Sequence, residues 1–261
     1  MALYISFSGA FIYSVFVLAQ HKQKLKLISP EFPALIKQIL QFGLIIQSTN
    51  LFQMFNYRLS YYLVNIYAGT KELGIFSTAM SVGESIWLFS RSLANVQYPK
   101  IVNSENEAFR KWLTIDYANA GFFMSLLLLL PLLLIPESGF VFLFGNEFGQ
   151  VKWLIMLVAP GLILMAFTTM HAHYFSGIRK NLINLNASLI GLTVTLIAGF
   201  ILIPLSGLTG ACITTNLSYS ANAVYLIIIF KSGTSSTLME IMPNLKSVKG
   251  LSTLFRTTFK T

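Results

Sequence analysis

The sequence has 261 residues, of which 55% are hydrophobic and only 10% are charged, and its mean hydropathy is +0.68. A soluble domain carries about 25% charged residues, so this composition excludes an ordinary soluble domain and indicates an integral membrane protein. The net charge of +9 would suit nucleic acid, but the lysines and arginines sit in connections between apolar runs, which points to anionic membrane lipids and not to nucleic acid.

Seven apolar segments follow one another at about 2–20, 35–66, 74–99, 113–135, 151–175, 184–203 and 208–230. Only helices satisfy their own backbone in lipid at this length, so the expected fold class is an all-α integral membrane protein with about seven transmembrane helices. The first segment lacks a charged leader and runs into QHKQKLK instead of a small-residue cleavage site, so it reads as a span and not as a signal peptide. An odd number of spans starting at Met1 is expected of a larger protein cut short at the front. Residues 21–34 form a basic linker.

The second segment, 35–66, would be about 48 Å long as one helix, against a bilayer core of about 30 Å. Its centre, QSTNLFQMFNYRLSYY, is polar and aromatic. A tilt or bend, helped by Gly43, is expected to turn Gln47, Asn50, Asn56 and Arg58 toward protein or water. The third segment puts Ser77, Ser81, Glu84, Leu88, Arg91 and Asn95 on one helical face, and Ala79, Val82, Ile86, Phe89, Leu93 and Val96 on the other. A charge at the bilayer centre costs about 2.5–3.5 kcal/mol, so the polar stripe is expected to face a cavity or a partner helix. Glu84 and Arg91 lie about 10 Å apart along the helix, too far for a direct pair. Either Glu84 pairs with Arg58 across helices, or the arginines attract an anionic substrate while the carboxylate balances charge or takes up a coupling cation.

The fourth segment contains LLLLLPLLLIP, a lipid-facing run whose outer end is marked by Pro131 and Pro136. Asp116, one turn inside, reads as a snorkelling or capping residue. Residues 140–150 are expected to form a short external connection with Gly145 and Gly149 as turn residues. His171 and His173 end the fifth span as an interfacial polar cap, without an evident third metal ligand; proton coupling through His171 is the functional alternative. Pro204–Ala211 is a tight uncharged turn, with Gly207 and Gly210 allowing the chain to reverse. The single cysteine, Cys212, forms no disulfide within the chain. The tail, 231–261, is basic and Ser/Thr-rich; Leu238, Ile241, Leu245, Val248, Leu251 and Phe255 space it as an interfacial helix interrupted by Pro243.

Charge alternates along the connections. Those after the first, third, fifth and seventh spans hold thirteen Lys and Arg, and those after the second, fourth and sixth hold only Lys71 and Lys152. This places the N-terminus outside and the C-terminus in the cytoplasm. No phosphate loop, paired cysteines, HExxH or nucleophile elbow is present, and the nine acidic residues are scattered, so nothing marks an enzyme. No cofactor or metal is expected.

Asn56-Tyr-Arg-Leu-Ser-Tyr-Tyr, Gly69-Thr-Lys-Glu-Leu-Gly-Ile-Phe-Ser-Thr-Ala79 followed by Glu84 and by Pro99 closing the helix, the turn Ser176-Gly-Ile-Arg-Lys-Asn181 with Asn184 and Asn186, and Ile203-Pro-Leu-Ser-Gly-Leu-Thr-Gly-Ala211 together resemble the polysaccharide-unit flippases (the Wzx type). These belong to the multidrug/oligosaccharidyl-lipid/polysaccharide exporter superfamily. The resemblance runs over about 30–230. It implies two six-helix lobes around a central cavity, with residues 1–20 as the last helix of a first lobe, 35–230 as the second lobe and 231–261 as a cytoplasmic tail. It implies translocation of undecaprenyl-pyrophosphate-linked oligosaccharide across the bacterial plasma (inner) membrane for O-antigen-type surface polysaccharide, with H⁺ or Na⁺ as the exchanged ion. A first-lobe polypeptide or a polysaccharide polymerase would be its partner. The substrate cavity would hold Arg58, Arg91, Asn56, Ser81 and Asn95, with Glu84 for coupling or charge balance. Family members often carry aspartate where this chain has Ser60. The alternatives are a membrane polymerase or acyltransferase of the same pathway, which would want a large charged external loop, and a cation-coupled drug antiporter, which would want acidic residues inside the spans.

Overall fold

The computed structural model describes residues 8–9, 11–17 and 32–244. Most of the first span, the basic linker up to residue 31 and the tail beyond 244, with its expected apolar positions 245, 248, 251 and 255, lie outside the described residues. The chain divides into two compact units, Met1–Leu44 and Ile45–Thr261. The described residues of the first unit are all helical. Helix α1, Phe32–Tyr67, continues into the second as one helix of 36 residues.

In the second unit α1 is followed by α2 (Thr70–Glu84), α3 (Trp87–Val102), α4 (Glu107–Leu134), α5 (Glu137–Phe144), a 3-10 turn (Asn146–Gln150), α6 (Val151–Gly177), α7 (Asn181–Thr234) and the one-turn α8 (Leu238–Ile241). All are helical, as an all-α membrane protein requires. Three helical stretches among the described residues are long and apolar enough to cross a membrane: Glu107–Leu134, Asn146–Gly177 and Asn181–Thr234.

Three expectations are corrected. The expected span 74–99 is two helices: the ladder tightens at Ser85 and Ile86, whose amides bond to Val82 and Gly83, three residues back. Pro99 lies inside α3 and does not close it, because a proline disturbs the turn before it and leaves the turn after it free to continue. Residues 137–150 are not an open connection. They form α5 and the 3-10 turn, with Gly145 alone taking a positive φ of 107° between them.

Helix α7 would be about 81 Å long if straight. It reverses instead at Gly207 (φ 56°, ψ −127°), the one non-helical residue inside it. Pairs of contacts then step outward along two antiparallel arms, 181–206 and 208–234. A Cβ on Gly210 would strike the carbonyl of Leu202, one on Gly199 would lie 3.6 Å from Thr214, and Ser218 Oγ donates to the Gly191 carbonyl at 2.9 Å. Glycine and small residues thus let the arms approach closely.

Helix α6 is central and packs against α2, α3, α4 and α7. Apolar residues fill two cores around it, one with Ile75, Phe76, Trp87, Leu154 and Tyr219, the other with Leu113, Tyr117, Met170, Phe175 and Phe230. The connections sort to two ends. Lys71 pairs with Glu147 at 3.0 Å at one end. At the other, Arg110 Nε donates to the Ile101 carbonyl at 3.1 Å, a Cβ on Gly177 would meet Ile101, and Lys111 pairs with Glu240 at 2.8 Å. The Lys111 amine holds the exposed Glu240 carboxyl below its ordinary range by a direct hydrogen bond. This second end gathers Lys100, Arg110, Lys111, Arg179 and Lys180 and is called the basic end below.

Candidate functional site

A cavity of about 460 Å³ is enclosed by α1, α3, α6 and both arms of α7. Helix α1 supplies Thr49, Asn50, Gln53 and Tyr57, and α3 supplies Trp87, Arg91 and Asn95. Helix α6 supplies Thr168, Thr169, His173 and Ser176, and the arms supply Asn181, Asn184, Ser188 and Asn222. Taken along each helix, these residues run from the basic end to about mid-depth of the bundle. There the cavity meets a triangle of rings: Tyr57, Trp87 and Tyr219, with centroids 5.6–5.8 Å apart. Trp87 is fixed by its indole N–H, which donates to the Leu162 carbonyl at 2.8 Å.

Twelve of the lining side chains are uncharged amides and hydroxyls, and no lining residue is a carboxylate. Arg91 is the fixed charge. It is exposed to the cavity, and its guanidinium carbon stands 5.7 Å from the Trp87 ring centroid, a cation–π geometry that steadies it without consuming its five donors. Such a wall offers many weak hydrogen bonds and one strong positive site. Chemically it suits a hydroxyl-rich ligand that carries negative charge.

The structure treats the site residues expected from sequence unequally. Arg91 and Asn95 line the cavity together. Ser81 and Glu84 lie on the same face but beyond the aromatic triangle, toward the end away from the basic loops; Ser81 is exposed and Glu84 half-buried. Arg58 is exposed on α1, its guanidinium 5.0 Å over the Tyr61 ring. Glu84 forms no ion pair within 4.0 Å among the described residues, although both Arg58 and Arg91 are close enough to act on it electrostatically. The direct Glu84–Arg58 pair is therefore not made.

Asn56 is outside the cavity lining. It is buried at 3% exposure, and its Oδ1 accepts from Thr195 Oγ1 at 2.6 Å and Ser218 Oγ at 2.7 Å. It ties α1 to both arms, so its placement is that of a packing node.

Two further readings change. His171 is not a polar cap: it is fully buried between Phe167 and Phe230, ring centroids 5.1 and 4.7 Å away. His173, two residues on and so about 200° around the helix, faces the cavity instead. The two rings point apart and cannot chelate one ion. Asp116 does not snorkel; it is buried at 1% exposure and its Oδ2 has no partner. The sequence reading missed Gln53, Thr168, Thr169, Asn184, Ser188 and Asn222 as cavity residues. Their common signal is a polar side chain inside an apolar run, at helical spacing with another.

Comparisons with known proteins bear out the flippase-type resemblance. The chain is 30% identical over 153 residues, 58% of its length and 39% of the relative's, to the capsular polysaccharide biosynthesis protein CapF of Staphylococcus aureus. It is 23% identical over 166 residues, 62% of its length and 35% of the relative's, to a protein of Haloferax volcanii described as a probable low-salt glycan biosynthesis flippase, Agl15. The chain spans under two-fifths of the length of these curated relatives. No family model matches, and no solved structure matches.

Proposed function

We propose that this chain is the C-terminal lobe of a membrane transporter that flips a lipid-linked oligosaccharide for surface polysaccharide synthesis, and not an enzyme. The observation that carries the reading is the cavity, which is deep, walled by amides and hydroxyls, provided with Arg91 and devoid of lining carboxylates. Sugar hydroxyls meet amide and hydroxyl partners, the diphosphate meets the guanidinium, and the lipid chain stays among the exposed apolar side chains outside. The names of the two relatives, one for capsular polysaccharide synthesis and one for a glycan flippase, support the substrate class. A drug-cation antiporter fits less well, because a cation would find no carboxylate in the wall.

The lining runs from the basic end; with basic connections facing the cytoplasm, the cavity would open inward, and Tyr57, Trp87 and Tyr219 would stand across the outward path. Arg58, Ser81 and Glu84 stand beyond these rings, where the headgroup would pass after the rings part. A facing first lobe would complete the pathway.

The test is complementation of a bacterial strain lacking its repeat-unit flippase, with the chain co-expressed beside a first lobe. Arg91→Ala should abolish surface polysaccharide at normal expression, and Arg91→Lys should restore part of it, because an ammonium keeps the charge and loses the fork. Normal polysaccharide with Arg91→Ala would refute the cavity reading.

A further inference from the structure

At the basic end the cavity continues into a smaller recess of about 280 Å³, lined by Ile46, Asn95, Tyr98, His173, Ser176 and Asn181. Each of its polar side chains carries a hydrogen-bond donor. Asn181 is the first residue of α7 and lines the recess, so the positive dipole end of a long helix lies there. Lys180, at the cap position, makes no side-chain capping bond. Independently, the Asn181 side chain is buried at 6% exposure and its Nδ2 has no hydrogen-bonding partner. A buried amide donor without an acceptor is uncommon and is relieved when a ligand supplies one.

The neighbours agree in sign. Ser176 Oγ already accepts from Asn184 Nδ2 at 2.9 Å, so its own hydrogen remains to donate. His173 is held edge-on to Tyr98, with centroids 6.2 Å apart, and brings a ring N–H. No carboxylate lines the recess, while Arg179 and Lys180 are exposed in the adjoining turn.

We propose that this recess is a phosphate-class anion subsite, formed by the amino end of α7, Asn181 and His173, with Ser176 in support. It rests on reading the larger cavity as a headgroup path, and it divides that path: the recess takes a phosphate at the inner mouth, and the amide- and hydroxyl-lined volume beyond takes the sugars. The phosphate is borne either by a prenyl chain or by a free ion, and the two sources are separable.

The experiment is calorimetric titration of the purified chain in phosphatidylcholine nanodiscs with geranyl diphosphate and, separately, with inorganic pyrophosphate. Asn181→Asp is nearly isosteric and replaces the free donor by a negative acceptor; it should weaken binding at least tenfold. Asn181→Ala, which removes the donor without adding charge, should weaken it three- to tenfold. Asn103→Asp adds the same charge in the exposed α3–α4 connection and should change binding less than twofold. Binding of both ligands with the same sensitivity to Asn181 supports a subsite for the phosphate itself, and binding of geranyl diphosphate alone supports a subsite for the lipid-borne group. If Arg91→Ala abolishes binding while both Asn181 variants bind like the wild type, the subsite is overturned and the cavity reading stands. A loss with Asn103→Asp equal to that with Asn181→Asp also overturns it, since the effect is then a general field. If the wild type binds neither ligand, the anion-accepting cavity itself fails.

Discussion

At the residue scale the clearest lesson is how one polar side chain in an apolar helix can serve packing or a path, and how only its long-range partners tell which. Asn56 and Arg91 were both expected to line the cavity. Arg91 does. Asn56 spends its oxygen on Thr195 and Ser218, 139 and 162 residues away in sequence, and helical periodicity cannot foresee partners at that distance. Asn56→Ala leaves the buried Thr195 hydroxyl without its acceptor and Ser218 with the Gly191 carbonyl alone, and should cost about 1–3 kcal/mol, in the range for buried donors left unsatisfied and for interhelical bonds in membranes. Thermal unfolding in detergent would show this as a lowered midpoint, and an unchanged midpoint would contradict the node. The histidine pair teaches the same point. A spacing of two residues fixes that the rings face apart, but the sequence does not say which one meets Phe230 and which one meets the cavity.

At the element scale, faces and turns were legible and breaks were not. The polar stripe of 77, 81, 84, 88, 91 and 95 stays out of the apolar core; of the opposite face Ala79, Ile86 and Leu93 are buried, Val82 and Phe89 half-buried and Val96 exposed, so periodicity placed that face only in part. The reversal at Gly207 was marked by its own glycines and proline. The division at Ser85 and Ile86 carries no glycine or proline between the two helices and was invisible. Helix α6 shows how the gap that a proline leaves in a helix can be filled. Pro160 lies inside it and should disturb the ladder. Asn216 of the second arm reaches into that turn: its Oδ1 accepts from the Gly161 N–H at 2.8 Å, and its Nδ2 donates to the Leu157 carbonyl at 2.6 Å. A regular helix joins those two backbone groups to each other, so the side chain of one helix mends the ladder of another. Gly161 permits the approach, since a Cβ there would lie 2.5 Å from Asn216 Oδ1 and 3.2 Å from its Cα. Gly161→Ala should therefore destabilise by about 1–3 kcal/mol, as overpacking does. Gly74→Ala, with nothing within 4 Å, should leave the melting temperature unchanged or slightly raised. Equal behaviour of the two variants would contradict the close contact between α6 and the second arm.

At the scale of the whole molecule, composition and alternating charge made the membrane class legible, and the structure places the connections at two ends as the charges required. The cavity was legible only in part, because it is a property of five walls at once, and the residues that complete it come from helices whose polar positions are single Thr, Ser and Asn side chains. Its central property is a polar wall with one fixed positive charge, suited to an anionic headgroup. The most direct measurement uses the fact that the only cysteine, Cys212, is buried. Thr169→Cys places one reactive thiol in the cavity wall, and Leu205→Cys places one at a site 77% exposed outside it. Labelling rates with an anionic and a cationic methanethiosulfonate reagent of similar size are then compared. The account predicts that Thr169→Cys reacts, that its anionic-to-cationic rate ratio exceeds that of Leu205→Cys severalfold, and that adding Arg91→Ala removes the excess. A thiol at position 169 that neither reagent reaches, or one that reacts faster with the cation, would contradict it.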